Sequence, residues 1–125
     1  MTASGPGAGP SQGTIEAVID NYVAAWNEPE PAARLDLLRQ AVADDCVFEG
    51  PLGPVEGREA LHAAIADARD MLPGGVVERT GRATVQEGDV RFAWRVLGPD
   101  GTRLLEGHDV ATPAADGRLR LIRML

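Results

Sequence analysis

Three turn signals in the second half of the chain, Glu87-Gly88-Asp89, Pro99-Asp100-Gly101-Thr102 and Asp116-Gly117, cut it into pieces of strand length. Glycine beside aspartate supplies the backbone freedom that tight reversals need. Between two of these turns Val90, Phe92, Trp94 and Val96 alternate with Arg91, Ala93 and Arg95, the period of a strand with one apolar and one polar face. Four strands are expected: Val76 to Gln86, Val90 to Leu97, Arg103 to Thr112, and Leu119 to Leu125. Connections this short join neighbours, so the strands form an antiparallel meander.

The first half repeats at three and four instead. Thr14 can cap a helix from Ile15 to about Asn27, with Ile15, Val18, Ile19, Tyr22, Val23 and Trp26 along one face. Glu28-Pro29-Glu30-Pro31 breaks it, and Pro31 suits the first turn of a second helix. Leu35, Leu37, Leu38 and Val42 give that helix its buried side, and Asp44-Asp45 ends it. Val47-Phe48-Glu49 is a short strand stopped by the loop Gly50-Pro51-Leu52-Gly53-Pro54. A third helix begins after Gly57, carries Leu61, Ile65, Ala68 and Leu72 inward, and stops at Pro73-Gly74-Gly75. Helices grouped ahead of strands define an α+β fold: three N-terminal helices packed on a curved, mainly antiparallel sheet. Such a cone-shaped barrel holds an internal pocket wherever the helices do not fill it.

At 125 residues the chain suffices for one core and not two. Residues 1–13, mostly Gly, Pro, Ser and Ala, read as a disordered tail without the apolar run of a signal peptide, and 14–125 as the domain. The net charge of −7 offers no basic face to nucleic acid or to an anionic membrane. No window approaches the roughly 18 apolar residues of a membrane span, so a cytoplasmic protein is expected. Cys46 is the only cysteine, which excludes an internal disulfide. Neither His62 nor His108 makes a metal-ligand spacing with it, so no metal site is expected.

One residue resists this pattern. Asp109 sits mid-strand in Leu104-Leu105-Glu106-Gly107-His108-Asp109-Val110-Ala111-Thr112, where carboxylates are depleted and burial without a partner is costly. It either faces water, paired with Arg91, Arg95 or Arg123, or lines a cavity where its proton is useful. In the second case burial raises its pKa toward the range of acid/base catalysis. His108 alternates with it, so only one of the two faces the cavity, and the reverse register would make His108 the acid/base. Tyr22, on the apolar face of the first helix, needs a hydrogen-bond partner, and Asp109 is the expected one. Trp26, Phe48, Trp94, Ile122 and Met124 are expected to wall the pocket. Asp67, Arg69 and Asp70 read as a solvated face.

Four stretches carry a resemblance to a known superfamily: Tyr22-Val23-Ala24-Ala25-Trp26-Asn27; Ala43 through Gly53; Gly57-Arg58-Glu59-Ala60-Leu61; and Gly107-His108-Asp109-Val110 with Asp116-Gly117-Arg118-Leu119. Together they resemble the nuclear transport factor 2-like fold, and within it the SnoaL-like polyketide cyclases and ketosteroid isomerases. The isomerase resemblance implies that Tyr22 is an oxyanion donor and Asp109 a second, protonated one. The isomerase base falls on Gly50, which has no carboxyl, and Glu49 one residue earlier points to the opposite face. The cyclase resemblance implies that Asp109 is the general acid/base of an intramolecular aldol closure, which needs no carboxylate at Gly50.

The sequence therefore suggests a cofactor-independent cyclase or isomerase acting on an apolar carbonyl compound, with Asp109, Tyr22 and His108 as catalytic candidates. The alternative is a non-catalytic module of the same fold that binds a small hydrophobic molecule or dimerises. A hydrolase using Asp109 and Arg123 to activate water lacks a second acid at suitable phase. The resemblance further implies a homodimer through the convex face of the sheet, where Arg91, Arg95, Arg120 and Arg123 make a polar surface.

Overall fold

In the computed structural model, which describes residues 11–51 and 53–125, α1 spans Gln12–Asn27. Its cap is Ser11, whose hydroxyl accepts from the Thr14 backbone N–H at 3.1 Å. Thr14 therefore lies inside the first turn rather than capping it, and Ser11 to Gly13, assigned above to the tail, belong to the helix and its cap. The rest of that tail call, residues 1–10, lies outside the described residues.

Helix α2, Pro31–Ala41, follows a sharp turn. Arg34 is only 4% exposed and bonds across that turn, its Nε to the Glu28 carbonyl at 3.0 Å and its Nη2 to the Pro29 carbonyl at 3.1 Å. It satisfies carbonyls left open at the end of α1. Asp44-Asp45 does not end α2. The chain turns extended at Val42 and runs as β1, Val42–Gly50, with both aspartates exposed on it. The ladder with the last strand is irregular between Val42 and Val47, and that bulge lets two consecutive charged residues face water. Gly53–Glu56, of which Gly53 and Pro54 were expected as loop, pairs back on β1 as β2.

Helix α3, Arg58–Met71, buries Leu61 and Ile65. Arg58 donates to the Val42 carbonyl from Nε and Nη2, at 3.3 and 3.0 Å, and so ties the start of α3 to β1. The expected single strand Val76 to Gln86 divides into β3, Val76–Arg79, and β4, Thr84–Gln86. The cause is α1: Glu16 accepts from the Ala83 N–H at 3.0 Å and Arg79 pairs with Glu16 and Asp20. The helix supplies the partners a continuous ladder would have used. Strands β5, Asp89–Leu97, β6, Arg103–Pro113, and β7, Leu119–Met124, complete the sheet.

The strand order is β2-β1-β7-β6-β5-β3, with β4 also on β5. β1 and β7 are parallel and the other pairs antiparallel. The sheet is mixed and curves around the helices, the cone-shaped α+β arrangement expected, and among the described residues its two ends, β2 and β3, stay unpaired on their outer sides. Its concave face packs on the helices through a core that includes Ile19, Leu38, Leu61, Ile65, Val90 and Ile122.

Candidate active site

An apolar cavity of about 280 Å³ lies between the concave face of the sheet and helices α1 and α3. Leu72 and Leu105, 39% and 48% exposed, both border it, so it reaches the surface between the end of α3 and β6. Trp26, Phe48, Trp94 and Met124 line it. Ile122 does not. It lies on the same face of β7 as Met124 but opposite Ala111, deeper in the sheet, and it is fully buried in the core.

Asp109 faces this cavity and is 4% exposed. Its register fixes the direction: it pairs with Phe92 on one side and Met124 on the other, and both project toward the hollow. His108, one residue earlier, is exposed on the convex face. The reverse register is thereby excluded, and His108 is not part of the site. Glu49 is likewise exposed, while Gly50 borders the cavity. Among the described residues no second acid lines the cavity.

The partner of Asp109 is not Tyr22. The Trp94 indole Nε1 donates to Asp109 Oδ1 at 3.0 Å. Gly107 makes this possible. It sits across the ladder from Trp94, and a Cβ there would meet Trp94 Cζ2 at 2.8 Å. Without one the indole lies over β6 and reaches the carboxyl two residues further on, on the same face. In the sequence Gly107 counts only as part of the Gly107-His108-Asp109-Val110 resemblance, although a glycine two residues before a mid-strand acid is a usable signal of close approach.

Among the described residues, Asp109 Oδ2 accepts no hydrogen bond, and it is not among the fully enclosed unpaired atoms. It therefore opens on the cavity. Burial pushes the Asp109 pKa up to about 6, against the opposing pull of the Trp94 hydrogen bond and the His108 charge. Tyr22 is 2% exposed and packs edge-on against Trp26 and Phe92, with ring centroids 6.3 and 6.2 Å away. Burial, reinforced by the negative charge of Asp109, holds its phenol well above the ordinary range. Tyr22 is thus a retained O–H donor beside a carboxyl whose proton is in play near neutrality.

Arg69 is a site residue the sequence reading missed. Assigned there to a solvated face, it borders the cavity from the last turn of α3 and donates from Nη1 to the Trp26 carbonyl at 2.8 Å. Cys46 is buried away from the cavity lining, and its thiol is pushed up to about 11, chiefly by burial. Among the described residues, no three His, Cys, Asp or Glu side chains are grouped to hold a metal ion, and no helix is long and apolar enough to cross a membrane.

A curved, unclosed sheet wrapped on three helices places the protein in the nuclear transport factor 2-like superfamily. Within it the chain belongs to the SnoaL-like domain family, whose model matches residues 19–122. A candidate isomerase of the SnoaL-like family from Agrobacterium tumefaciens is 30% identical, with a TM-score of 0.83 over 90% of this chain and 96% of that one. A candidate polyketide cyclase from Sinorhizobium meliloti is 18% identical, with a TM-score of 0.71 over 93% of this chain and all (100%) of that one. A candidate SnoaL-like polyketide cyclase from Jannaschia is 20% identical, with a TM-score of 0.67 over 97% and 90% of the two chains. The last two likenesses speak for the fold alone. No match is found among the curated proteins.

Proposed function

We propose that the protein is a cofactor-independent acid/base catalyst of the cyclase or isomerase type, acting on a small, largely apolar carbonyl compound. One observation carries this reading: a buried carboxyl with one oxygen held by the Trp94 indole and the other bare toward an apolar cavity. In this reading Asp109 Oδ2 removes a proton from the carbon beside the substrate carbonyl and returns it at the new position or to the new hydroxyl. The Tyr22 hydroxyl donates to the oxygen on which negative charge develops. The apolar walls keep water away from the enolate. The names of the structural relatives, isomerase and polyketide cyclase, agree with this class.

The test is exchange of the α-protons of 2-decalone in D2O, followed by NMR. Wild-type protein is expected to accelerate it, and Asp109→Asn to abolish the acceleration while leaving the fold intact. Exchange that persists in the Asn variant would refute the assignment. A second reading, a binding module with the same cavity, is favoured by the lone acid: Gly50 stands where the isomerase resemblance calls for another. In that case the ketone binds, quenching Trp26 or Trp94, and no exchange is accelerated.

A further inference from the structure

We propose that Arg69 anchors a carboxylate on the ligand, so that the substrate class is an elongated apolar keto acid rather than a neutral ketone. The inference rests on the cavity reading above and extends it to specificity.

Three observations converge. Among the described residues Tyr22, Asp109 and Arg69 are the polar or charged side chains on the wall, apart from the two indoles, and Arg69 is the only cation. A guanidinium has five N–H donors. Among the described residues one of the five is engaged, by the Trp26 carbonyl, and no carboxylate lies within ion-pair distance, neither Asp67 nor Asp70. Yet no Arg69 nitrogen is fully enclosed without a partner, so the remaining donors face accessible space.

The second observation is position. Asn27, next to Trp26, bonds Val77 in both directions at 2.7 and 2.8 Å, and Val77 pairs with Val96. Asp109 pairs with Phe92, four residues away along β5. At strand rise the residues that mark these two ends, Phe92 and Val96, lie about 13 Å apart along β5. A ligand spanning them is oriented, with its acid at the Val77–Val96 end and its carbonyl beneath Tyr22 and Asp109. The third is chemistry. A guanidinium engaged only through Nη1 keeps Nε–H and Nη2–H, a pair that matches a carboxylate side-on.

A purely structural role is the competing account, since Arg69 also closes the C-terminal end of α1. Matched neutral and anionic probes separate the two. Both tryptophans of the chain line the cavity, so intrinsic fluorescence reports occupancy. At pH 7.5 the wild type is expected to bind 4-cyclohexylbutanoate at least tenfold more tightly than 4-cyclohexylbutanamide. Arg69→Gln is expected to erase that preference without weakening the amide, and Arg69→Lys to keep part of it.

Equal wild-type affinities for acid and amide overturn the anchor, and this comparison needs no variant. Equal losses for both probes in Arg69→Gln overturn it too, in favour of the structural role. If the amide binds and the acid does not, the anchor fails and the cavity reading stands. If neither probe quenches, both fail.

Discussion

Asp109→Asn should make the protein more stable at neutral pH, by an amount the site itself sets. In the folded chain the carboxyl keeps its proton up to about pH 6, whereas its ordinary value is 3.8. Between these the folded state holds a proton that the unfolded state has released, so stability falls as pH rises through the window. Below pH 3.8 this penalty is absent; above about 6 it is complete. The gap corresponds to about 3 kcal/mol, or roughly 10 °C in melting temperature for a chain of this length. Asparagine keeps the shape and the acceptor for Trp94 and carries no charge to desolvate. Urea unfolding of both proteins from pH 3.5 to 8 is the assay, and their difference cancels every other titrating group. The difference is expected to be small at pH 3.5 and to grow in favour of Asn until about pH 7. A difference curve that stays flat across this range would show that Asp109 titrates normally, and the acid/base reading would lose its physical basis.

Trp94→Phe removes the donor that opposes the rise, so Asp109 should titrate higher still, by roughly 1 to 2 pH units; the 13C shift of its carboxyl measures this. Gly107→Ala should act in the same direction, because the added methyl meets the indole at 2.8 Å and displaces it; an unchanged titration there would mean the ring yields without losing its bond. His108→Gln should leave α-proton exchange at the wild-type rate, since its side chain is on the convex face. Arg34→Met should lower unfolding free energy by about 2 kcal/mol, because the Glu28 and Pro29 carbonyls lose their donor inside the turn, and urea melts read that loss.

What could be read from the chain beforehand followed from periodicity and turns. Val90 to Val96 alternates strictly, and alternation limited the inward position to one of Asp109 and His108; which one it is follows only from the pairing of Asp109 with Phe92 and Met124. The helix faces were legible because Tyr22 and Trp26, or Leu61 and Ile65, are four apart. The errors arose where a distant residue outbid the local pattern. Asp44-Asp45 looks like a helix end, but the pairing of β1 with β7 sets the backbone there. Val76 to Gln86 reads as one strand, and Glu16, about seventy residues earlier, divides it. Arg69 was hidden by its charged neighbours Asp67 and Asp70: nothing local says that α3 ends against the Trp26 carbonyl. Trp94 was expected as wall, but its hydrogen bond to Asp109 depends on the absent Cβ of Gly107.

The parallel pairing of β1 with β7 also governs when the cavity comes into being. Val47 meets Leu121 and Phe48 meets Ile122, so one wall joins segments from opposite halves of the chain. Closing so long a loop is entropically expensive and slows folding. The helices and the β5–β6 hairpin can form early from local contacts, but Phe48 and Met124 enclose nothing until β7 docks. The hollow is therefore expected to form late in folding and to open in the first steps of unfolding. A ligand seated there clamps that junction, so occupancy should slow the unfolding rate more than it speeds refolding.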